Sequence, residues 1–110
     1  MSAEVISDLY QQSIIIDSLN VSNWNSDDVF KDLHAGGLTA TSATVATWEG
    51  FAETADSLAS WYERFRVRSL QIRPVRTVAD IHASKAEGRV GIILSFQNAR
   101  PIGNDLRRLE

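Results

Sequence analysis

The sequence contains no cysteine, one methionine, two histidines and two prolines. Without cysteine there are no disulfides, no thiolate metal sites and no cysteine nucleophile, and the composition suits a reducing compartment. Chemistry must come from oxygen, amide and imidazole groups. An excess of positive charge is also absent: the formal net charge is -3 and the pI about 5.3. General nucleic-acid or anionic-membrane binding wants a basic face and is therefore not expected; the arginine-rich stretch 64–76 is the one exception. Long hydrophobic runs are missing too. The longest, Ile14 to Ile16 and Val90 to Leu94, fall far short of the roughly 20 residues of a membrane span. The opening stretch MSAEVISDLYQQ carries acids in place of a positively charged n-region, so no secretory signal is visible. A cytoplasmic protein with neither membrane nor nucleic-acid partner is the expectation.

What is present suits one domain: a hydrophobic fraction of 44% supplies a modest core for 110 residues. Ile14, Ile15 and Ile16, between Ser13 and Asp17, read as a short strand buried on both faces of a parallel sheet. Ser26-Asp27-Asp28 reads as a helix start with carboxylates at the positive end of the dipole, and Gly36-Gly37 as its end. Residues 38–45 are small and β-branched and predict a second strand. Phe51, Ala55, Leu58, Trp61, Tyr62 and Phe65 recur at helical spacing as a buried stripe through about Arg66. Pro74 closes the following connection, and Thr77 to Asp80 forms a capping box for a helix ending at Gly88. Residues 89–96 predict a third strand covered on both faces, and 105–110 the first one or two turns of a fourth helix. Strands alternating with helices give an α/β fold with a parallel sheet. Three strands leave two open edges, and self-association through them is expected.

In this order the blocks point to a family. A strand ending in Asp17, then "DLHAGGLTA" (32–40), then "VADIHASKAEGRVGIILSF" (78–96) resembles the N-terminal part of the membrane dipeptidase (renal dipeptidase) family. The resemblance runs from about Ile14 to Leu109 and implies the first three βα units of a (β/α)8 TIM-type barrel, incomplete here, with residues 1–110 as the N-terminal segment of one barrel domain. It also implies a metallopeptidase that hydrolyses dipeptides with two zinc ions and a bridging water. Members present His-x-Asp at the end of the first strand and a bridging Glu at the end of the third. In this sequence those positions hold Leu19, Val21 and Gln97. Leu and Val have no donor atom, and a neutral Gln lacks the charge that holds two dications together. No cofactor is therefore expected for this chain, although the family uses zinc, and the chain alone is expected to be inactive.

Residues that follow the strands are the remaining candidates. Asn20, Asn23, Gln97 and Asn98 line one mouth with amide donors and acceptors, or serve as turn formers. Trp48 offers an apolar wall, and Glu49 either binds a ligand amine or is solvated. The implied partner is a small-molecule or dipeptide-like ligand. Arg64, Arg66, Arg68, Arg73 and Arg76, with Glu63 and Asp80 nearby, read as a paired, solvated face. His34 reads as a helix C-terminal residue and His82 as a surface helix residue. Three readings stand together: a dipeptidase homologue degenerate at its zinc positions, a non-catalytic small-ligand binding protein, and an inactive truncated homologue.

Overall fold

A computed structural model describes all of residues 1–110. The chain folds as α1 (Ala3–Gln12), β1 (Ile16–Asn20), α2 (Asp27–Ala35), β2 (Ala40–Ala46), α3 (Phe51–Val67), β3 (Ile72–Pro74), α4 (Val78–Glu87) and β4 (Val90–Phe96), followed by two 3-10 turns, Arg100–Ile102 and Leu106–Leu109. All strand pairings are parallel, in the order β1-β2-β4-β3. The α/β class read from the sequence is the one observed, as part of a TIM-like fold. The sheet has four strands, one more than expected. The extra one is β3: Pro74 ends a short strand against Val90 to Ile92, an edge position that tolerates a missing N–H.

The order of the strands decides where the helices lie. β3 sits outside β4, so the chain turns back through α4 to insert β4 beside β2. Crossovers between parallel strands are right-handed, so reversing the direction of travel places the connecting helix on the other face. On the first face, Ala43, Val45, Ile72, Val90 and Ile92 pack with Phe30 and Leu33 of α2 and Trp61 of α3. On the second face Ala40 and Gly91, register partners, meet α4. A Cβ on Gly91 would lie 2.7 Å from the Ser84 hydroxyl and 2.6 Å from Val75 Cγ2.

Trp61 is the centre of the first-face core. It is 1% exposed, and its ring stands 5.1 Å from that of Trp24, 5.8 Å from Phe65 and 6.5 Å from Phe30. Arg64 and Arg68 close this cluster from outside, each guanidinium lying over an aromatic ring, Trp61 and Phe30 respectively. Tyr62, one residue from Trp61 and expected in the stripe, is exposed, and so is Phe51 at the start of the helix. A 17-residue helix rotates neighbouring positions by about 100°, so only one of the adjacent pair Trp61 and Tyr62 can face the sheet.

Two further expectations are corrected. Pairing of the first strand starts at Ile16, after a helix that the sequence did not suggest. Of the three isoleucines, Ile15 anchors the junction: its N–H donates to Thr39 Oγ1 at 3.0 Å, and its carbonyl accepts from the backbone N–H of Thr39 and Ala40. Ile14 and Ile16 are 40% and 45% exposed, because β1 is the outermost strand and α4 lies at the far side of the sheet. The terminal segment expected as a helix forms a 3-10 turn whose Asp105 side chain accepts from Arg107 N–H.

The capping box is as read: Thr77 accepts from Asp80 N–H, Asp80 accepts from Thr77 N–H, and Gly88 ends α4 at φ 65°. The arginine face is paired only in part: Arg66 pairs with Glu63, Arg68 with Asp27, and Arg73 with both Asp80 and Glu87. Arg64 instead packs over Trp61 and bonds to the loop after β1, and Arg68 and Arg73 are largely covered by their neighbours rather than solvated.

Replacing Gly91 by Ala should destabilise the fold by about 1–3 kcal/mol, since both clashing groups belong to a packed helix and its lead-in. The urea midpoint measures this, and an unchanged midpoint would show that α4 is free to move away.

Candidate functional site

In α/β folds of parallel strands, chemistry gathers where the strands end. Here those ends are the end of β1 and the loops after β1, β2 and β4, which carry Asn20, Asn23, Trp48, Glu49, Gln97 and Asn98. Most of their polar groups are engaged in holding the loops themselves.

After β1, the Asp17 carboxylate accepts from Leu19 N–H at 3.2 Å and from the Asn20 amide at 3.1 Å. Asn20 Oδ1 in turn accepts from Ser22 N–H at 3.0 Å, and Asn23 Oδ1 from Asn25 N–H at 3.2 Å. These are local turns of the kind Asx side chains form. Arg64 then ties the loop to α3 by donating to Trp24 O and to Asn25 Oδ1, at 3.0 and 2.8 Å.

After β2, Glu49 Oε2 accepts from Thr47 N–H at 2.6 Å and from Trp48 N–H at 2.9 Å. These backbone donors, Thr47 first, hold the Glu49 carboxyl below the usual glutamate range. The loop after β4 joins the same clamp: the Asn98 amide donates to Thr47 O, while Asn98 Oδ1 accepts from Arg100 N–H at 2.8 Å. Trp48 is thus carried on a backbone fixed from both sides and is 73% exposed.

The structure therefore brings Glu49 and Asn98 together at Thr47, with Gln97 next in the chain and its N–H on Ala46 O. Asn20 and Asn23 belong to a separate, locally closed turn. Among the five candidates only the Gln97 side chain makes no hydrogen bond within the chain, and Gln97 is exposed. On the sheet face that α4 reaches, Ser42 donates to Ser95 at 2.8 Å, and the Thr44 hydroxyl has no partner. Sequence reading did not identify these hydroxyls, or Asp17 and Arg64 as loop anchors. The Asp17-x-x-Asn20 spacing was the one available signal for the first turn.

Leu19 and Val21 stand at the strand end where the resemblance expects zinc ligands, and both are well exposed. Neither has a lone pair to offer, and Gln97 brings no charge. This donor set does not fit a two-zinc centre.

Comparison with solved structures finds close similarity of fold. An amidohydrolase from Pseudomonas aeruginosa superposes with a TM-score of 0.90 at 36% identity, covering 94% of this chain and 31% of its own. The probable dipeptidase PvdM from Pseudomonas aeruginosa superposes with a TM-score of 0.81 at 15% identity, covering 96% of this chain and 33% of its own, a likeness of fold alone. This chain spans about a third of the length of both. No family model and no curated protein matches the sequence. These comparisons show similarity in sequence and fold to one segment of an amidohydrolase, and a shared fold with a segment of PvdM.

The Glu49 clamp has a pH signature. A carboxyl whose folded pKa is depressed adds stability above its unfolded pKa and loses it as pH falls through the folded value. Wild type should therefore be more stable than Glu49→Gln at neutral pH, and the gap should shrink on acidification below the ordinary glutamate range. Thermal melts of both proteins across that range check it; a gap independent of pH would mean that the charge contributes nothing.

Proposed function

We propose that this chain is a segment of a hydrolase-type barrel of the membrane dipeptidase kind, and that the part of the site it carries binds a small amino-acid-like or dipeptide-like ligand without contributing metal ligands. The observation that carries this reading is the 0.90 TM-score at 36% identity with an amidohydrolase, over nearly all of the chain. The free Gln97 amide supplies both a donor and an acceptor, as one amide bond of a ligand requires. Trp48 supplies an apolar surface on a loop that is already fixed, so little conformational entropy is lost when a ligand settles against it. Glu49 and Asn98 act as positioning residues, because their polar atoms hold Thr47 and Trp48.

The chain by itself is a binding scaffold in this reading. Hydrolysis by a two-metal route needs anionic or imidazole donors that Leu19, Val21 and Gln97 do not provide, and no step through zinc is assigned to these residues.

Two measurements test the proposal. After equilibrium dialysis against zinc, the chain should retain no tightly held ion at the strand ends; two ions per chain would overturn the donor argument. In a panel of dipeptides monitored by amide chemical shifts, binding should be saturable, move Gln97 and the Trp48 indole, weaken several-fold in Gln97→Ala, and proceed without release of free amino acids. Hydrolysis abolished by a chelator would instead favour the catalytic reading.

A further inference from the structure

The loop after β2 keeps one polar atom that its own structure does not use. Glu49 holds the Thr47 and Trp48 N–H groups through Oε2, at 2.6 and 2.9 Å, while its Oε1 makes no hydrogen bond within the chain. The start of α3 does not draw on Glu49 either. Glu53 accepts from Gly50 N–H at 3.2 Å, and Gly50 O accepts from Thr54 N–H.

The charge of Glu49 is also uncompensated. Asp27, Glu63, Asp80, Glu87 and Asp105 each face an arginine. Glu49 takes part in no ion pair, and the groups that keep its carboxyl ionised are backbone N–H donors, Thr47 first, with no cation among them. The result is a half-buried anion fixed in place by dipoles and left without a counter-charge. A partly desolvated carboxylate of this kind gains most from a compact cation that also donates hydrogen bonds.

The surface beside it suits the same cation. Trp48 is carried by the same turn and is 73% exposed, and the face of a tryptophan ring attracts ammonium groups. The exposed Gln97 side chain, on the loop that Asn98 ties to Thr47, offers both an amide donor and an amide acceptor. An ammonium group answers the first two of these, and a neighbouring amide bond answers the third.

We propose that the site selects its ligand by the amino end: Glu49 Oε1 and the Trp48 ring receive a primary ammonium group, and ligands whose nitrogen is acylated are discriminated against. This inference rests on the small-ligand reading above and names the group by which the ligand is chosen. Glu49 then has separate duties on its two oxygens, Oε2 holding the loop and Oε1 meeting the ligand.

The test titrates the 110-residue chain with L-leucinamide and with N-acetyl-L-leucinamide, slightly below neutral pH so that the free amine is protonated. The probes share a side chain and an amide and differ in the ammonium group. Followed by chemical shift, leucinamide should bind at least about 10-fold more tightly than its acetylated form, the usual size of one charge-assisted contact. It should also move the Glu49 carboxyl and Trp48 indole resonances. In Glu49→Gln, which retains an oxygen for the loop, the preference should disappear. The ratio of the two affinities is the readout, because a loop loosened by the substitution weakens both probes alike. Equal binding of the probes to the wild type, or a preference that survives Glu49→Gln, would overturn the role of Glu49 while the small-ligand reading stood. Binding of neither probe would overturn both.

Discussion

The second face of the sheet depends on a close approach at Gly91. Because β4 is inserted between β2 and β3, α4 must lie across the face opposite α2 and α3, and it comes near enough for Ser84 to occupy the space of a missing side chain. Ala40 beside Gly91 and Ser84 on the helix keep the contact small on both sides. Polar contacts at its two ends also hold α4 in this place. Thr77 and Asp80 cap its start, Arg73 bridges Asp80 to Glu87, and Arg89 joins Glu87 to the Ser69 carbonyl. Further along the same face the side chains become hydroxylic, with Ser42, Thr44 and Ser95 in succession on β2 and β4. Small residues under the helix and hydroxyls beyond it divide one sheet face into a packed end and an end with polar capacity.

The strand-end loops follow a different economy. Backbone N–H groups at such ends have no ladder partner and must find one. Glu49 satisfies two of them, Asp17 one, and the amides of Asn20, Asn23 and Asn98 satisfy others. A polar side chain used in this way stiffens the loop; Glu49 does so through Oε2 and Asn23 through Oδ1. Trp48 and Gln97 are left exposed on loops tied down in this way. Exposed Trp on a loop fixed by three side-chain hydrogen bonds differs physically from exposed Trp on a loose one, since its position is set before anything binds.

Much of this was legible in the residues. The helix from Phe51, the capping box at Thr77 and Asp80, the stop at Gly88 and the strand through Val90 to Phe96 all follow from short-range rules, and short-range rules are what a single sequence expresses. The failures share a cause. Ile14 to Ile16 carry the composition of a buried strand, yet burial depends on which strand lies outermost, and that is a property of the order β1-β2-β4-β3. The three residues of β3 are too few, with Pro74 among them, to announce a strand until Val90 to Ile92 lie alongside. At the site, the turn-forming role of Asn98 was readable from its own neighbourhood. Its bond to Thr47, 51 positions away, was not. Glu49 shows the same limit: its type permits amine binding, and only the folded loop reveals that two backbone donors already share its Oε2.

The loop after β1 bears on the apolar residues at Leu19 and Val21. Where a strand end carries metal ligands, the ion itself orders the backbone, because each ligand bond fixes a side chain and the residue that bears it. Here the ordering comes from within. Asp17 holds Leu19 N–H and the Asn20 amide, and Asn20 passes the constraint to Ser22. Leu19 and Val21 flank the held Asn20 and are left facing solvent. A backbone fixed by Asp17 does not require an ion to keep its shape, so apolar side chains at these two positions carry no penalty in local order. The same arrangement means that His at 19 and Asp at 21 would add two donor groups on a prepared backbone while Gln97 still lacked negative charge. Conversion to a metal centre would thus depend on the end of β4 as much as on the end of β1.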